Sequence, residues 1–351
     1  MRYLIVGGAG FIGINAAYRY AQRGNAVTIL DDFSRAGTAQ NADWLLSQFP
    51  EIQVVRADIR NDQSALDAAA ADSDVLLHLA AQVAVTTSVV NPRTDFEINA
   101  LGSFNVLEAV RKAPRPPIVL YSSTNKVYGG MEDVAIASDG GRYCYRDLPH
   151  GVPETRQLDF HSPYGCSKGA ADQYVRDYAR IYGLRTLVFR QSCIYGPHQF
   201  GIEDQGWVAW FALRSLLDQP VTIYGDGQQA RDVLFVDDLL AAFDAALERI
   251  EQVSGRVYNI GGGPANILSL LDLVNLLNQW NPAKVRYSFG DWRPGDQRVY
   301  ISDIRRAERE LGWRPATSPQ QGVRLMYDWM AANLGSILPV YNLSPAASLA
   351  K

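Results

Sequence analysis

A tyrosine and a lysine four residues apart stand in the run Phe160-His161-Ser162-Pro163-Tyr164-Gly165-Cys166-Ser167-Lys168-Gly169-Ala170-Ala171-Asp172. On a helix, Tyr164 and Lys168 lie on one face, one turn apart, so both can meet the same small molecule. An ammonium beside a phenol favours the phenolate, so Lys168 is expected to lower Tyr164 from its ordinary value of about 10. A tyrosine tuned in that way can take a proton from a hydroxyl near neutral pH. The spacing is common by chance and equally fits an ordinary amphipathic helix. It gains meaning only if the chain also supplies a partner for the proton chemistry.

The N-terminus offers one. Arg2 to Val6 is an apolar, β-branched run, and Gly7-Gly8-Ala9-Gly10-Phe11-Ile12-Gly13 follows at once. Gly7, Gly10 and Gly13 are spaced as a variant of the dinucleotide fingerprint. Glycines there let the backbone approach a pyrophosphate, and the free N–H groups of the helix that opens at Phe11 and Ile12 receive the anion. A glycine-rich turn without a ligand is the bland alternative, but strand, glycines and helix come in the order the fingerprint needs. Asp31 and Asp32 end the second strand, Ala26 to Leu30. An acid there accepts from ribose hydroxyls and repels a 2′-phosphate, which argues for NAD over NADP. Arg35 weakens that argument, since an arginine can meet a phosphate, and one of the two acids reads equally well as a solvated loop carboxylate.

The elements that position these groups alternate. Strands are expected at Ile52–Arg56, Val75–Leu79, Ile118–Tyr121 and Leu184–Arg190, with helices over Asn91–Lys112 and Pro163–Tyr182. This predicts an α/β fold with a doubly wound parallel (Rossmann) sheet. Ligands of such sheets sit beyond the carboxyl ends of the strands. Ser34, Asp58, Ile59, Leu79, Ala80 and Gln82 fall there, with Asp58 able to accept from an adenine amino group. His78 reads as a packed strand histidine. Asn99 either orders the nicotinamide side or satisfies backbone near the sheet. Ser122-Ser123-Thr124 ends the fifth strand with hydroxyls that can shuttle a proton, although a lone Ser-Ser-Thr is more often a polar turn. Residues 1–190 are expected to hold NAD and 191–335 to form a smaller α/β region, mainly for substrate. The stretch 130–160 reads as a long loop forming a lid or wall. Residues 336–351 show no periodicity and are expected to be a flexible tail.

Composition bounds the function. Among 351 residues, 33 Lys+Arg against 37 Asp+Glu give a net charge of −4, which disfavours nucleic acid as a partner. No apolar run reaches the roughly 20 residues of a membrane span. The three cysteines have no metal-ligand spacing, so no metal is expected. Their sparse, odd number and the absence of a leader pattern point to the cytoplasm.

Glycine fingerprint, acidic second-strand end, hydroxyl-rich fifth-strand end and Tyr-x-x-x-Lys helix, in that order, resemble the extended short-chain dehydrogenase/reductases, in their nucleotide-sugar epimerase/dehydratase branch. The resemblance covers about residues 1–335. It implies Tyr164 as base, Lys168 as its partner and a holder of the nicotinamide ribose, and Thr124 completing the triad, with Ser122 nearby. The branch's 4,6-dehydratases carry an Asp-Glu pair after the triad hydroxyl, where this chain has Asn125 and Lys126. The runs Ser122–Gly129, Asp159–Tyr174 and Asp204–Trp207 look like the CDP-tyvelose 2-epimerase (CDP-paratose 2-epimerase) group. That likeness implies reversible oxidation at sugar C2 with a bound NAD, and pairing into a homodimer or larger homo-oligomer through the helices holding Asn99 and Tyr164. It also implies a nucleotide-sugar site of Val83, Ala84, Thr124, Asn125, Gln205, Gly206, Trp207, Tyr224, Arg231 and Arg298. Arginine matches phosphate oxygens bidentately, which suits Arg231 and Arg298 to a diphosphate, although Arg231 beside Asp232 also fits a surface ion pair. Many relatives have asparagine where Cys193 stands, leaving Gln191 or Ser192 to take its place. A UDP-hexose 4-epimerase would use the same triad. A scaffold that senses NAD without turnover would have no need of all three groups.

Overall fold

The computed structural model describes residues 1–293 and 296–343. Fifteen strands occur among them. β1 (Arg2–Val6), β2 (Ala26–Asp31), β3 (Gln53–Arg56), β4 (Val75–His78) and β5 (Ile118–Thr124) come first. They are followed by β6 (Ile136–Asp139), β7 (Arg142–Tyr145), β8 (Thr186–Gln191), β9 (Cys193–Tyr195), β10 (Val221–Tyr224), β11 (Ala230–Phe235) and β12 (Val257–Ile260). The last are β13 (Ile267–Ser269), β14 (Tyr287–Gly290) and β15 (Val299–Tyr300). Seven of them make one sheet in the order β12-β8-β5-β4-β1-β2-β3. Every pairing in it is parallel. The chain winds outward from β1 through β2 and β3, then crosses to β4 on the other side. The crevice between β1 and β4 is therefore the switch point of the topology.

Apart from the edge strand β3, which is largely exposed, these strands are buried on both faces, so their sequences are close to continuously apolar instead of alternating. Tyr3, Ile5, Val75, Leu77, Leu120 and Phe189 pack on one face against the helices Phe11–Gln22, Thr38–Gln48 and Val236–Glu248. Leu4, Val6, Leu76, Val119, Tyr121 and Val188 pack on the other, against Gln63–Ala71, Gly102–Lys112 and Ser162–Tyr182. This is the expected doubly wound sheet, and β12, from the later part of the chain, completes it.

Three expectations need correction. The helix predicted over Asn91–Lys112 starts with Asn91 capping the Thr94 N–H at 3.2 Å and Pro92 in the first turn. It then widens into a π-turn over Glu97–Leu101 before continuing from Gly102. Asn99 sits in that turn. The stretch 130–160 contains a hairpin, β6 paired with β7, where loop was expected. Gly140 and Gly141 make its turn, with φ of 59° and 85°. Tyr143 N–H bonds the Gln228 carbonyl and Tyr145 Oη bonds the Val299 carbonyl, so the hairpin packs against the second region. Finally, the stretch expected to be a flexible tail begins packed. Ile337 and Leu338 are buried, and Tyr341 Oη bonds the Gly201 carbonyl at 2.7 Å. Residues 344–351 lie outside the described residues.

The smaller region has its own core around β11, which pairs with β9, β13 and β15. No helix among the described residues is long and apolar enough to cross a membrane.

Candidate active site

The glycine turn owes its shape to close contacts. A Cβ at Gly7, where φ is +83°, would lie 2.5 Å from the Ala80 nitrogen, and one at Gly13 would lie 2.3 Å from the Gly7 oxygen. Gly10 differs. A Cβ there would meet only the Gly7 oxygen, at 3.3 Å, so it opens onto a cleft. Gly7, Gly10, Phe11, Ile12 and Gly13 floor that cleft, Asp31, Asp32, Ser34 and Arg35 line one side, and Asp58, Ile59, Leu79 and Ala80 another. Asp31 accepts from Ala9 N–H at 3.0 Å and Phe33 N–H at 2.9 Å. Burial pushes its carboxyl up, and these backbone donors pull it back. Asp32 accepts from Ser34 N–H and Oγ at 2.9 and 2.7 Å. Asp58 is gripped by Arg60 at 2.6 Å, which holds it below the usual carboxylate range. A backbone cradle at a helix start, with fixed acids beyond, fits the diphosphate and ribose of a dinucleotide.

Asn99 has the backbone role. Its Oδ1 accepts from Gln82 N–H and its Nδ2 donates to the Gln82 carbonyl, both at 3.0 Å, so one side chain clamps one residue's backbone. Gln82 in turn donates to the Ala84 carbonyl at 2.8 Å. Neither Gln82 nor Asn99 lines the cleft. His78 bonds Ser103 Oγ at 2.8 Å, and burial pushes it down to about 3, so it is neutral packing.

Ser162, at φ +66°, and Pro163 open the helix Ser162–Tyr182. Tyr164 N–H is held by Ser88 Oγ at 3.2 Å. Lys168 Nζ donates to the Ser122 carbonyl at 2.6 Å and lies 4.4 Å from the centre of the Tyr121 ring. Thr124 caps the turn Asn125–Tyr128, accepting from Lys126 N–H at 3.2 Å, and its hydroxyl is near enough to the Tyr164 phenol to favour the phenolate. Thr124, Tyr164, Lys168 and Ser122 thus come together across the β5 terminus. The charge balance differs from the expectation. Burial pushes Tyr164 up to about 12, with the neighbouring Thr124 hydroxyl pulling the other way. Burial also pulls Lys168 down to about 7, against the pull of Asp172 and Asp95. Desolvation dominates both groups because each is more than nine-tenths buried, and Lys168 is not among the groups that pull Tyr164 down.

The residues expected on the sugar side are spread more widely. Val83 and Gln205 line the same cleft as the glycines, and Gln205 accepts from Arg35. Asn125 lies beside Thr124 at 3.4 Å. Gln191 Oε1 takes the Ser122 hydroxyl at 3.0 Å, and its Nε2 has no hydrogen-bond partner among the described residues. Ser192 is instead committed to the Asp232 carbonyl, at 3.0 Å. Arg231 does not pair with Asp232, which is buried on the Gly263 and Ser302 N–H groups. It donates to the Gln297 carbonyl at 2.5 Å and lies 3.7 Å from Asp296. Arg298 stacks near Tyr143 and Trp292. Gly206, at φ +81°, caps the helix opened by Trp207, whose indole N–H points at Cys193 Sγ, 3.0 Å away. Tyr224 lies under the Arg293 guanidinium at 3.7 Å.

Sequence reasoning missed Thr38, Asn41, His198, Gln199 and Phe200 in the cleft wall, and Arg293, which pairs with Asp204 at 3.0 Å. Thr38 and Asn41 open the helix just after Arg35, whereas His198, Gln199, Phe200 and Arg293 come from loops distant in sequence, and no local spacing marks any of them.

Comparison with known proteins agrees with this geometry. The NAD dependent epimerase/dehydratase family is matched over residues 3–261. The chain belongs to that family. Its resident cofactor is NAD, and the glycine cradle and Asp31 fit it. Among this epimerase/dehydratase chain's relatives, CDP-paratose 2-epimerase of Salmonella typhi is 44% identical over 338 residues, covering 95% of this chain and 100% of that one. A dTDP-glucose 4,6-dehydratase of Streptomyces antibioticus is 33% identical over 350 residues, covering 95% and 93%. UDP-glucose 4-epimerase of Thermotoga maritima, solved with UDP-glucose, superimposes with a TM-score of 0.81 at 29% identity, covering 95% and 100%. UDP-glucuronic acid 4-epimerase of Bacillus cereus, solved with UDP-glucuronic acid and NAD, gives 0.81 at 27%, covering 95% and 99%.

Proposed function

We propose that this enzyme epimerises a nucleotide-linked sugar, CDP-paratose to CDP-tyvelose, at C2 through a transient 2-keto sugar. One observation carries the reading. Thr124, Tyr164 and Lys168 gather at the carboxyl end of β5, next to β4, whose own carboxyl end walls the dinucleotide cleft, in a chain 44% identical to a CDP-paratose 2-epimerase over 95% of its length. Tyr164 takes the proton of the 2-hydroxyl, and Thr124, beside the phenol, holds the sugar oxygen. NAD, held by the glycine cradle and Asp31, would supply the hydride acceptor and donor at C2, while burial keeps the Tyr164 phenol protonated, at about 12, until the site is filled. Lys168 reaches the ribose hydroxyls from its place on the Ser122 carbonyl. The keto sugar then offers its other face, and Tyr164 returns the proton. Residues 1–190 hold the cofactor in this reading, and 191–335 hold most of the nucleotide sugar. Arg231 and Arg298 take the diphosphate, and Asn125 and Lys126 leave no carboxylate pair for elimination.

Incubation with CDP-paratose tests the reading. Formation of CDP-tyvelose supports it, and its absence defeats it. Faster turnover of UDP-glucose would instead favour a UDP-hexose 4-epimerase, the activity named for the Thermotoga maritima neighbour.

The assembly proposed is a homodimer. Phe96, Phe104, Tyr174 and Tyr182 are exposed along the two adjacent helices that carry Asn99 and Tyr164, an apolar stripe that a second copy can cover. Sedimentation at micromolar concentration decides it, and a monomer there would refute it. The cytoplasm is the proposed location, checked by cell fractionation.

A further inference from the structure

We infer that Asp172 is a positioning residue for Thr124, Tyr164 and Lys168: it fastens their helix to β5 and keeps a negative charge beside Lys168. The inference rests on the functional reading of those three groups. Tyr164, Lys168 and Asp172 follow one another at intervals of four on one helix face. Asp172 and Arg190 form a bidentate pair, with Nε to Oδ2 and Nη2 to Oδ1 both at 2.9 Å, and their side chains are 0% and 2% exposed. A buried ion pair is weak support for stability, because well-packed apolar residues of like volume often do as well. Its presence one turn from Lys168 therefore calls for another role.

The contacts give one. Ser123 Oγ donates to Asp172 Oδ2 at 2.8 Å. Ser123 stands between Ser122, whose carbonyl takes Lys168, and Thr124, whose hydroxyl neighbours the Tyr164 phenol. One carboxylate thus fixes the helix to the strand residue that separates the two halves of the site. Arg190 continues the chain to Tyr128 Oη at 3.1 Å, and Tyr128 reaches Asn259 Oδ1 at 2.7 Å. Tyr128 closes the turn that begins at Thr124. Sheet strands β5, β8 and β12, that turn and the tyrosine helix are joined through one buried polar chain.

The charge surroundings of Lys168 are few. Asp172 comes from its own helix, Asp95 from the helix Pro92–Phe96 and Tyr164 from one turn back. Neutral His78 and the Tyr121 ring face it from β4 and β5. Of these, Asp172 contributes most to keeping the ammonium charged, and Asp95 comes second. Removing the Asp172 charge leaves Asp95 alone and strands the Arg190 cation close by.

The test uses the full chain loaded with NAD. In protein labelled at lysine, with Lys168→Arg for assignment, NMR reads the Lys168 titration without any substrate. Asp172→Asn is expected to move its midpoint about one pH unit towards acid. It should also lower kcat about 10- to 100-fold, leave KM nearly unchanged and shift the alkaline limb of the kcat profile the same way. Asp172→Glu should restore most of both. Should Asp172→Asn fail to fold, Asp172→Leu with Arg190→Met removes both charges at once; it should melt near the wild type and still show the displaced titration. An unmoved midpoint in either variant overturns the inference. A wild type that turns over no nucleotide sugar, yet shows the displaced titration on mutation, would defeat the functional reading and leave this one standing.

Discussion

Adding one methyl group to the glycine turn should separate cofactor binding from folding. A Cβ at Gly13 would lie 2.3 Å from the Gly7 oxygen, 2.7 Å from Gly8 Cα and 2.9 Å from the Gly8 carbonyl carbon. All three neighbours are backbone, so relief requires the turn and helix to part by about 1 Å, since carbon contacts settle at roughly 3.5 Å. Gly7 cannot retreat freely, because its N–H bonds the Leu30 carbonyl at 2.7 Å. Overpacking of this kind costs about 1–3 kcal/mol. Spread over a chain this large, that lowers the melting temperature by several degrees, at about 2–4 °C per kcal/mol. If the same strain displaces the N–H groups that hold the pyrophosphate, NAD binds about 5- to 150-fold more weakly. Gly10→Ala supplies the contrast, because its methyl meets only one atom, at 3.3 Å, and otherwise projects into the cleft. Stripped of NAD, it should melt with the stripped wild type and then rebind NAD weakly, whereas stripped Gly13→Ala should both melt lower and bind NAD weakly. Thermal melts and nicotinamide released on denaturation measure the two effects. A Gly13→Ala protein with wild-type melting and full NAD content would refute the reasoning, as would equal destabilisation by both substitutions.

Tyr164→Phe should lower kcat by about 10²- to 10⁴-fold with melting and NAD content unchanged, measured on the same nucleotide sugar as the wild type. Asn99→Ala strips two hydrogen bonds from the Gln82 backbone at a buried site and should cost about 1–3 kcal/mol in urea unfolding. His78 and His198 are pushed down by burial from 6.5 to about 3 and about 4. Their folded-state values lie below the unfolded one, so their contribution is whole above pH 6.5 and is lost as pH falls through 6.5 towards 3. Denaturation midpoints should fall in that window, and His78→Gln should flatten the fall.

What could be read from the sequence was what the sequence keeps local. Gly7, Gly10 and Gly13 lie within seven residues, and strand and helix flank them at once, so turn chemistry and order suffice. Tyr164 and Lys168 share a face because one helix carries both. The sheet strands could be found as short apolar runs. The charge state of the pair could not, because it depends on how deeply β5 and the helix bury it. Asn99 was left between two roles, and only the π-turn, with Gln82 beside it, separates them. Ser192 was free to stand in for an asparagine until Asp232 was seen to hold it. The hairpin β6–β7 did leave a signal: Gly140-Gly141 between two short runs is a tight-turn dipeptide. Its half-exposed strands lack strong alternation, which hid it. Phe200 and Arg293 had no signal at all, since loops distant in sequence bring them to the site.

The seventh strand has a consequence for synthesis. β12 pairs only with β8 in the main sheet, yet about seventy residues separate the two in the chain, including β9 to β11. While those residues leave the ribosome, β8 stands as an uncovered edge of backbone donors and acceptors, the kind of surface that other strands add to. The nascent protein is therefore most prone to wrong pairing between the emergence of Gln191 and that of Ile260. A chain stopped within that interval should bind a chaperone that one stopped after Ile260 no longer needs.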